Sequence, residues 1–368
     1  MQRELDKKIW FCTLMIMGIG LVVLFSATYD NVRVTQKIFY DQVYCALLGI
    51  ILMYIFGKVD YRRFYDVAYV IYFLNVLLLL WVMFSGRHAL GARRWLQVGG
   101  ISFQPSEVAK LALILVLGRY FSNLKPMLSF GLFSKLSAVI RQLVIPLCIT
   151  GVLMMFILKQ PDLGTALMFL GIFTAMVFVS GLDYKVFFSF IVLCIIFAPF
   201  GWHFIKQYQK DRILVFLNPN IDPLGAGYTI IQSKIAIGSG QIFGKGWLAG
   251  TQNQLNFLPE RHTDFIFSVV GEEWGLLGTL SILCLYFILI MVSLQIACQV
   301  KDRFGTLVSV GIVSILTLQV VINMGMVMGL FPIVGIPLPF LSYGRTSFLN
   351  FAIMMGFLLN LSKKRTMF

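Results

Sequence analysis

The stretch Ile9-Trp10-Phe11-Cys12-Thr13-Leu14-Met15-Ile16-Met17-Gly18-Ile19-Gly20-Leu21-Val22-Val23-Leu24-Phe25-Ser26-Ala27 contains no Asp, Glu, Lys or Arg. A hydrocarbon core about 30 Å thick is crossed by roughly 20 helical residues, so this run is long enough to span a bilayer. Arg3, Lys7 and Lys8 precede it. The apolar core of a cleaved leader is shorter, about 7–15 residues, so the run reads as a retained first span with a cytoplasmic N-terminus. Comparable stretches lie near 40–57, 66–85, 107–121, 142–158, 164–181, 186–204, 275–298, 306–328 and 346–361. The expected fold is therefore all-α: a polytopic integral membrane protein with about ten transmembrane helices.

Composition supports this reading. Of 368 residues, 59% are hydrophobic and only 12% are charged, about half the roughly 25% charged residues of a soluble domain. So little charge cannot clothe a water-facing surface. A soluble enzyme, a disordered chain and a secreted disulfide scaffold are excluded. The six cysteines, Cys12, Cys45, Cys148, Cys194, Cys284 and Cys298, all stand in apolar runs without CxxC spacing, and read as buried thiols.

The net charge of +14 fits cytoplasmic topology signals and anionic lipid or substrate headgroups, not nucleic acid. An even number of spans puts the Lys363-Lys364-Arg365 tail beside the cytoplasmic N-terminus. Lys58, Arg62, Arg63, Lys125, Lys135, Arg141, Lys185, Lys301 and Arg303 then fall on the inside, as basic residues favour. Two outer segments carry cations against that rule: Gly86–Ser106, with Arg87, Arg93, Arg94 and Trp95, and a long extracytoplasmic loop over about 205–274. A loop of that length is usually functional. No linker or low-complexity stretch divides the chain, so 1–368 is expected to be a single domain.

Ionisable groups at membrane depth are costly unless paired, and mark candidate sites. In Gln104-Pro105-Ser106-Glu107-Val108-Ala109-Lys110, Ser106 is placed to cap a helix whose first turn holds Glu107, with Lys110 at i+3 on the same face. That pair either satisfies itself or forms the charged wall of a substrate cavity. Gln160-Pro161-Asp162-Leu163-Gly164-Thr165 is a tight outer connector in which Asp162 is either a turn residue or a cavity residue. The long loop holds Asp222-Pro223-Leu224-Gly225-Ala226-Gly227-Tyr228, Gln232-Ser233-Lys234, Gly244-Lys245-Gly246-Trp247 and Pro259-Glu260-Arg261-His262-Thr263-Asp264-Phe265. Its glycines do not form a phosphate loop, because Ser239 occupies the first Gly position of GxxxxGK[ST] and Gly246 the last. Three histidines without an HExxH pattern give no zinc site. Asp264 stands at the outer edge of the following span. There the helix dipole favours its ionised form by about 0.3–1 kcal/mol and desolvation opposes it, which suits a general base.

Taken in order, Arg93-Arg94-Trp95-Leu96, Phe103-Gln104-Pro105-Ser106-Glu107, Gln160–Thr165, Asp222–Tyr228, Gln232-Ser233, Pro259–Phe265 and Pro337-Leu338-Pro339 resemble the SEDS family (shape, elongation, division and sporulation) of polytopic peptidoglycan glycosyltransferases. Arg261 and the run Val334–Pro339 resemble its rod-shape branch more than its division branch. One departure is Ser342-Tyr343-Gly344-Arg345-Thr346, where the family usually has Gly at the Arg345 position.

The resemblance implies a lipid II polymerase for cell elongation in the bacterial cytoplasmic membrane. It implies Asp264 as base, with Arg94, Lys110 and Lys234 facing diphosphate, Glu107 and Asp162 lining the cavity, and Trp95 packing on a sugar or prenyl unit. Gln104, Gln232, Ser233, Glu260, Arg261, His262 and Ser342 complete the implied substrate-binding set. No metal ligand set is visible and no cofactor is evident, although diphosphate chemistry often employs a divalent cation. The implied partners are lipid II, the growing lipid-linked glycan, a class B penicillin-binding protein and other elongation-complex membrane proteins, with no nucleic acid. A lipid II flippase is the alternative, and a scaffold subunit ranks behind both. The crowding of polar motifs on the outer side favours the enzyme.

Overall fold

A computed structural model describes residues 2–29, 32–89, 92–98, 101–124, 137, 139–204 and 206–363. Lys125, Lys135, Lys364 and Arg365, used above for orientation, lie outside them. Ten helices fall on the ten expected spans. They are α1 (Gln2–Thr28), α2 (Val32–Phe56), α3 (Arg62–Ser85), α4 (Pro105–Ser122), α5 (Ile145–Lys159, entered through a π-helical turn at Ile140–Val144), α6 (Leu163–Val179) and α7 (Tyr184–Phe204). After the long outer segment with α8 (Gln207–Leu217), α9 (Ala226–Ser239) and α10 (Thr251–Gln254) come α11 (Ile266–Gln299), α12 (Arg303–Val327) and α13 (Arg345–Lys363). Among the described residues, six helices are long and apolar enough to cross a membrane, and α6 and α7 are shorter apolar helices. The protein is an α-helical, multi-pass membrane protein.

Three boundaries differ from the sequence expectation. The span that follows the long loop begins at Ile266, not near 275, because Glu272 and Glu273 are buried inside helix α11 rather than standing in a loop. The helix breaks at Gly275 (φ 66°, ψ −156°), a conformation open to glycine. The break is repaired by its neighbour: Leu276 and Leu277 N–H donate to Gln241 and Ile242 carbonyls, while Lys245 and Gly246 N–H donate to those of Glu272 and Glu273. Every backbone group freed in a membrane segment needs such a partner.

Second, Gly86–Ser106 is not plain loop. It holds β1 (Arg87–Ala89), β2 (Ala92–Val98) and β3 (Ile101–Phe103), an antiparallel sheet in that order with His88 opposite Arg93 and Gln97 opposite Ser102. Third, α4 starts two residues earlier than expected: Gln104 is its N-cap and Pro105 opens it, so Ser106 lies inside the first turn and does not cap. Proline at this position loses no helical hydrogen bond.

The chain groups into two compact units, each drawn from distant segments: Met1–Tyr54, Lys206–Val292 and Leu316–Met355 in the first, and Ile55–Ile205, Ser293–Ile315 and Gly356–Phe368 in the second. In the first unit, Gly20 lets α1 approach the Phe340–Leu341 backbone, where an added Cβ would stand 2.7 Å from the Phe340 carbonyl oxygen. In the second, α3 packs on α4. Tyr61 donates to Asp302 there, and burial together with that bond pushes its phenol up to about 12. Cys12 and Cys45 are buried as expected, whereas Cys148, Cys284 and Cys298 are exposed on outward helix faces. A bilayer covers such faces, so an apolar run does not by itself place a thiol in the protein core.

Candidate functional site

In the first unit the segment 258–265 is a tight turn built on Glu260. Its backbone is left-handed (φ 49°), and its carbonyl accepts the N–H groups of Thr263 at 3.1 Å, Asp264 at 3.1 Å and Phe265 at 3.4 Å. The Glu260 carboxylate accepts the Thr263 hydroxyl at 3.2 Å, which closes the turn from the side-chain end as well. Arg261 points inward and is buried. Its Nε donates to the Ala27 carbonyl at 2.6 Å and its Nη1 to the Asn253 carbonyl. A guanidinium spent on main-chain carbonyls locks the turn to α1 and α10.

Three residues after Arg261, Asp264 is half-buried, just before α11 begins at Ile266. Its carbonyl accepts from Asn323 Nδ2 at 3.0 Å, and the same amide donates to the Ile336 carbonyl at 2.7 Å. Four residues earlier on α12, Gln319 donates to the Pro337 carbonyl at 2.7 Å. The proline-rich run Val334–Pro339 cannot satisfy its own carbonyls in regular structure, and α12 supplies amides at i and i+4 to do so. Ser342 ends this run. It is buried, accepts the Leu338 N–H at 2.8 Å through its hydroxyl, and accepts from Gln42 through its carbonyl at 3.4 Å. Tyr343 N–H then donates to the His262 carbonyl at 2.9 Å, with the two rings 5.9 Å apart. Burial pulls the His262 imidazole below its ordinary value, with the Glu260 charge opposing and the Arg261 charge adding to the effect. Arg345, the residue that departs from the family pattern, lies 3.6 Å from the Asp41 carboxylate on α2.

On α9, Gln232 is half-buried and Ser233 fully buried. Ser233 donates to the Val327 carbonyl at 2.6 Å and lies 2.9 Å from the Ser268 hydroxyl. Lys234 is exposed, and its stem lies over Gly329 (φ 73°), where an added Cβ would stand 2.1 Å from its Cε.

The second unit holds the remaining expected residues. Arg94 on β2 donates from Nε to the Gln160 carbonyl at 2.9 Å and from Nη2 to the Pro161 carbonyl, with Nη1 3.9 Å from the Asp162 carboxylate. Asp162 caps α6, accepting Thr165 N–H at 3.1 Å and the Thr165 hydroxyl at 3.0 Å. So the Arg94 and Gln160–Thr165 motifs are one clamp. Trp95 beside Arg94 is half-buried, as is Gln104. Glu107 and Lys110 are 4% and 1% exposed, and Lys110 Nζ donates to Glu107 Oε1 at 2.6 Å. Among the described residues no group of three or more His, Cys, Asp or Glu side chains forms a metal-holding cluster.

The sequence reading passed over Glu272, Glu273, Gln319 and Asn323. Glu272 accepts Lys245 Nζ at 2.8 Å and the Gln252 N–H at 2.9 Å, and Glu273 accepts the Ser26 hydroxyl. The available signal was polarity inside apolar spans, the criterion that had flagged Glu107 and Lys110.

These observations agree with comparisons to known proteins. The family model for FtsW, RodA and SpoVE cell cycle proteins matches residues 6–367. Peptidoglycan glycosyltransferase MrdB of Escherichia coli K12 is 37% identical over 367 residues, covering 99% of this chain and 95% of that protein. Peptidoglycan glycosyltransferase RodA of Treponema pallidum is 31% identical, covering 98% of each. Among solved structures, a chain from a peptidoglycan synthase complex that coordinates polymerization and crosslinking aligns with TM-score 0.82 and 31% identity over 98% of both chains. The rod shape determining protein RodA of Thermus thermophilus aligns with TM-score 0.71 and 28% identity, covering 98% of this chain and 97% of that one. With a family match across almost its whole length, the chain belongs to the SEDS family of FtsW, RodA and SpoVE cell cycle proteins.

Proposed function

We propose that this chain is a multi-pass peptidoglycan glycosyltransferase of the bacterial cytoplasmic membrane, polymerising glycan strands for cell elongation with Asp264 as its general base. The glycosyltransferase names of relatives that match end to end support the activity. The observation that carries the assignment of the base is the rigid mounting of the half-buried Asp264, whose loop is held by Arg261 on one side and Asn323 on the other.

In the proposed step the C4 hydroxyl of one lipid-linked disaccharide attacks C1 of another. Asp264 takes the hydroxyl proton, the new C4–O–C1 bond forms with inversion, and the C1–O bond to diphosphate breaks with its electron pair on the leaving group. A glycosidase needs a second carboxylate to protonate an alkoxide. Diphosphate is already a weak base, so a base and positive charge suffice. Lys234, exposed in the same unit as Asp264, is the cation assigned to diphosphate. Arg94 and Lys110, in the second unit, are each shared with a carboxylate, Asp162 and Glu107.

The structural relative from a synthase complex that couples polymerization to crosslinking supports a class B penicillin-binding protein as partner, with lipid II as substrate.

Purified protein incubated with labelled lipid II tests this reading. Wild type is expected to yield glycan strands, and Asp264→Asn none, with membrane insertion intact. Full polymerisation by Asp264→Asn refutes the base, and transfer of lipid II across the bilayer without strand formation identifies a flippase instead.

A further inference from the structure

We propose that Asn323 and Gly335 together set the position of the Asp264 carboxylate, Asn323 by holding its peptide and Gly335 by the left-handed backbone that faces it. This deepens the assignment of Asp264 as base and rests on it. Asn323 is fully buried on α12, and both hydrogens of its amide are spent, one on the Asp264 carbonyl and one on the Ile336 carbonyl. One side chain therefore ties the peptide that bears the carboxylate to the peptide that follows Gly335. At Gly335 the backbone is left-handed (φ 69°), and a Cβ added there would stand 3.4 Å from Asp264 Oδ2. The Cβ side of Gly335 thus faces that carboxylate oxygen at ordinary van der Waals distance, and the positive φ is what calls for glycine there. All four residues belong to the same compact unit.

A base must lie within hydrogen-bond reach of the hydroxyl it deprotonates, and a displacement near 1 Å can cost about a hundredfold in rate. Neither Asn323 nor Gly335 supplies chemistry. Both act through Asp264, and their loss is read in turnover rather than in substrate capture.

The test is steady-state polymerisation of lipid II by purified full-length Asn323→Ala and Gly335→Ala, with Asp264→Asn in parallel and melting in detergent recorded for each. For each variant that folds, the expected result is kcat lower by about 10- to 100-fold with KM for lipid II little changed. Gly335→Ala reaches the carboxylate from the opposite side without opening the buried amide site, so it decides the matter if Asn323→Ala fails to fold. Wild-type kcat in either folded variant, or a rise in KM alone, overturns the positioning role while Asp264→Asn remains inactive. Activity retained by Asp264→Asn overturns the base and the positioning role together.

Discussion

Arg261 Nε donates to the carbonyl of Ala27 at 2.6 Å, across 234 residues of sequence. The turn that presents Asp264 is thereby fastened to the outer end of the first helix, and Arg261 acts as a strut for the site. Arg261→Ala leaves the Ala27 and Asn253 carbonyls without this donor in a buried place, a loss of about 1.5–3 kcal/mol for bonds to a charged group. Arg261→Lys keeps the charge but not the planar fork that reaches two acceptors, and recovers only part. Melting in detergent is expected to rank wild type above Lys above Ala, with polymerisation falling in the same order. A wild-type melting profile for Arg261→Ala would contradict the strut.

Glu107 and Lys110 are a buried pair, and the two roles open to them predict different double variants. Removing one partner strands a charge, so Glu107→Gln or Lys110→Met alone is expected to destabilise by about 3–5 kcal/mol. The double variant Glu107→Leu with Lys110→Met replaces both charges by apolar groups and is expected to regain most of that stability. If it also regains polymerisation, the pair is structural. If it is stable yet inactive, the charges serve substrate, and thermal melting paired with lipid II turnover separates the outcomes.

His262 links stability to acidity. Burial holds its folded imidazole below the ordinary 6.5, so just below that pH the unfolded chain binds the proton that the folded chain refuses. Where the unfolded state holds more protons, stability rises with pH. The protein is therefore expected to lose melting temperature as pH falls below about 6.5, and His262→Gln to flatten that dependence. An unaltered pH dependence in His262→Gln would remove the histidine from the account.

The chain's ten spans and their order were legible in sequence, because crossing a bilayer demands long uncharged helices that composition cannot hide. The residues of Pro259–Phe265 were likewise conspicuous. What each one does was not. Arg94 and Asp162 are joined in one clamp with Gln160 and Thr165, a contact between separate motifs that spacing does not show. Ser106 does not cap its helix, because Pro105 opens it two residues earlier. Glu272 and Glu273 pulled the expected start of α11 to the wrong side of Gly275, since a charged pair in sequence looks like a loop until its partners Lys245 and Ser26 are found.

Sequence alone determined that this is a polytopic helical membrane protein with one acidic, histidine-containing motif just before a span, because hydropathy and local spacing are properties of neighbours along the chain. Only the tertiary structure decided that Asn323 and Gly335 meet Asp264 and that Arg261 belongs to Ala27. Hydrogen bonds between residues tens to hundreds of positions apart depend on how helices pack, and no local pattern of the chain encodes which buried amide will face which carbonyl.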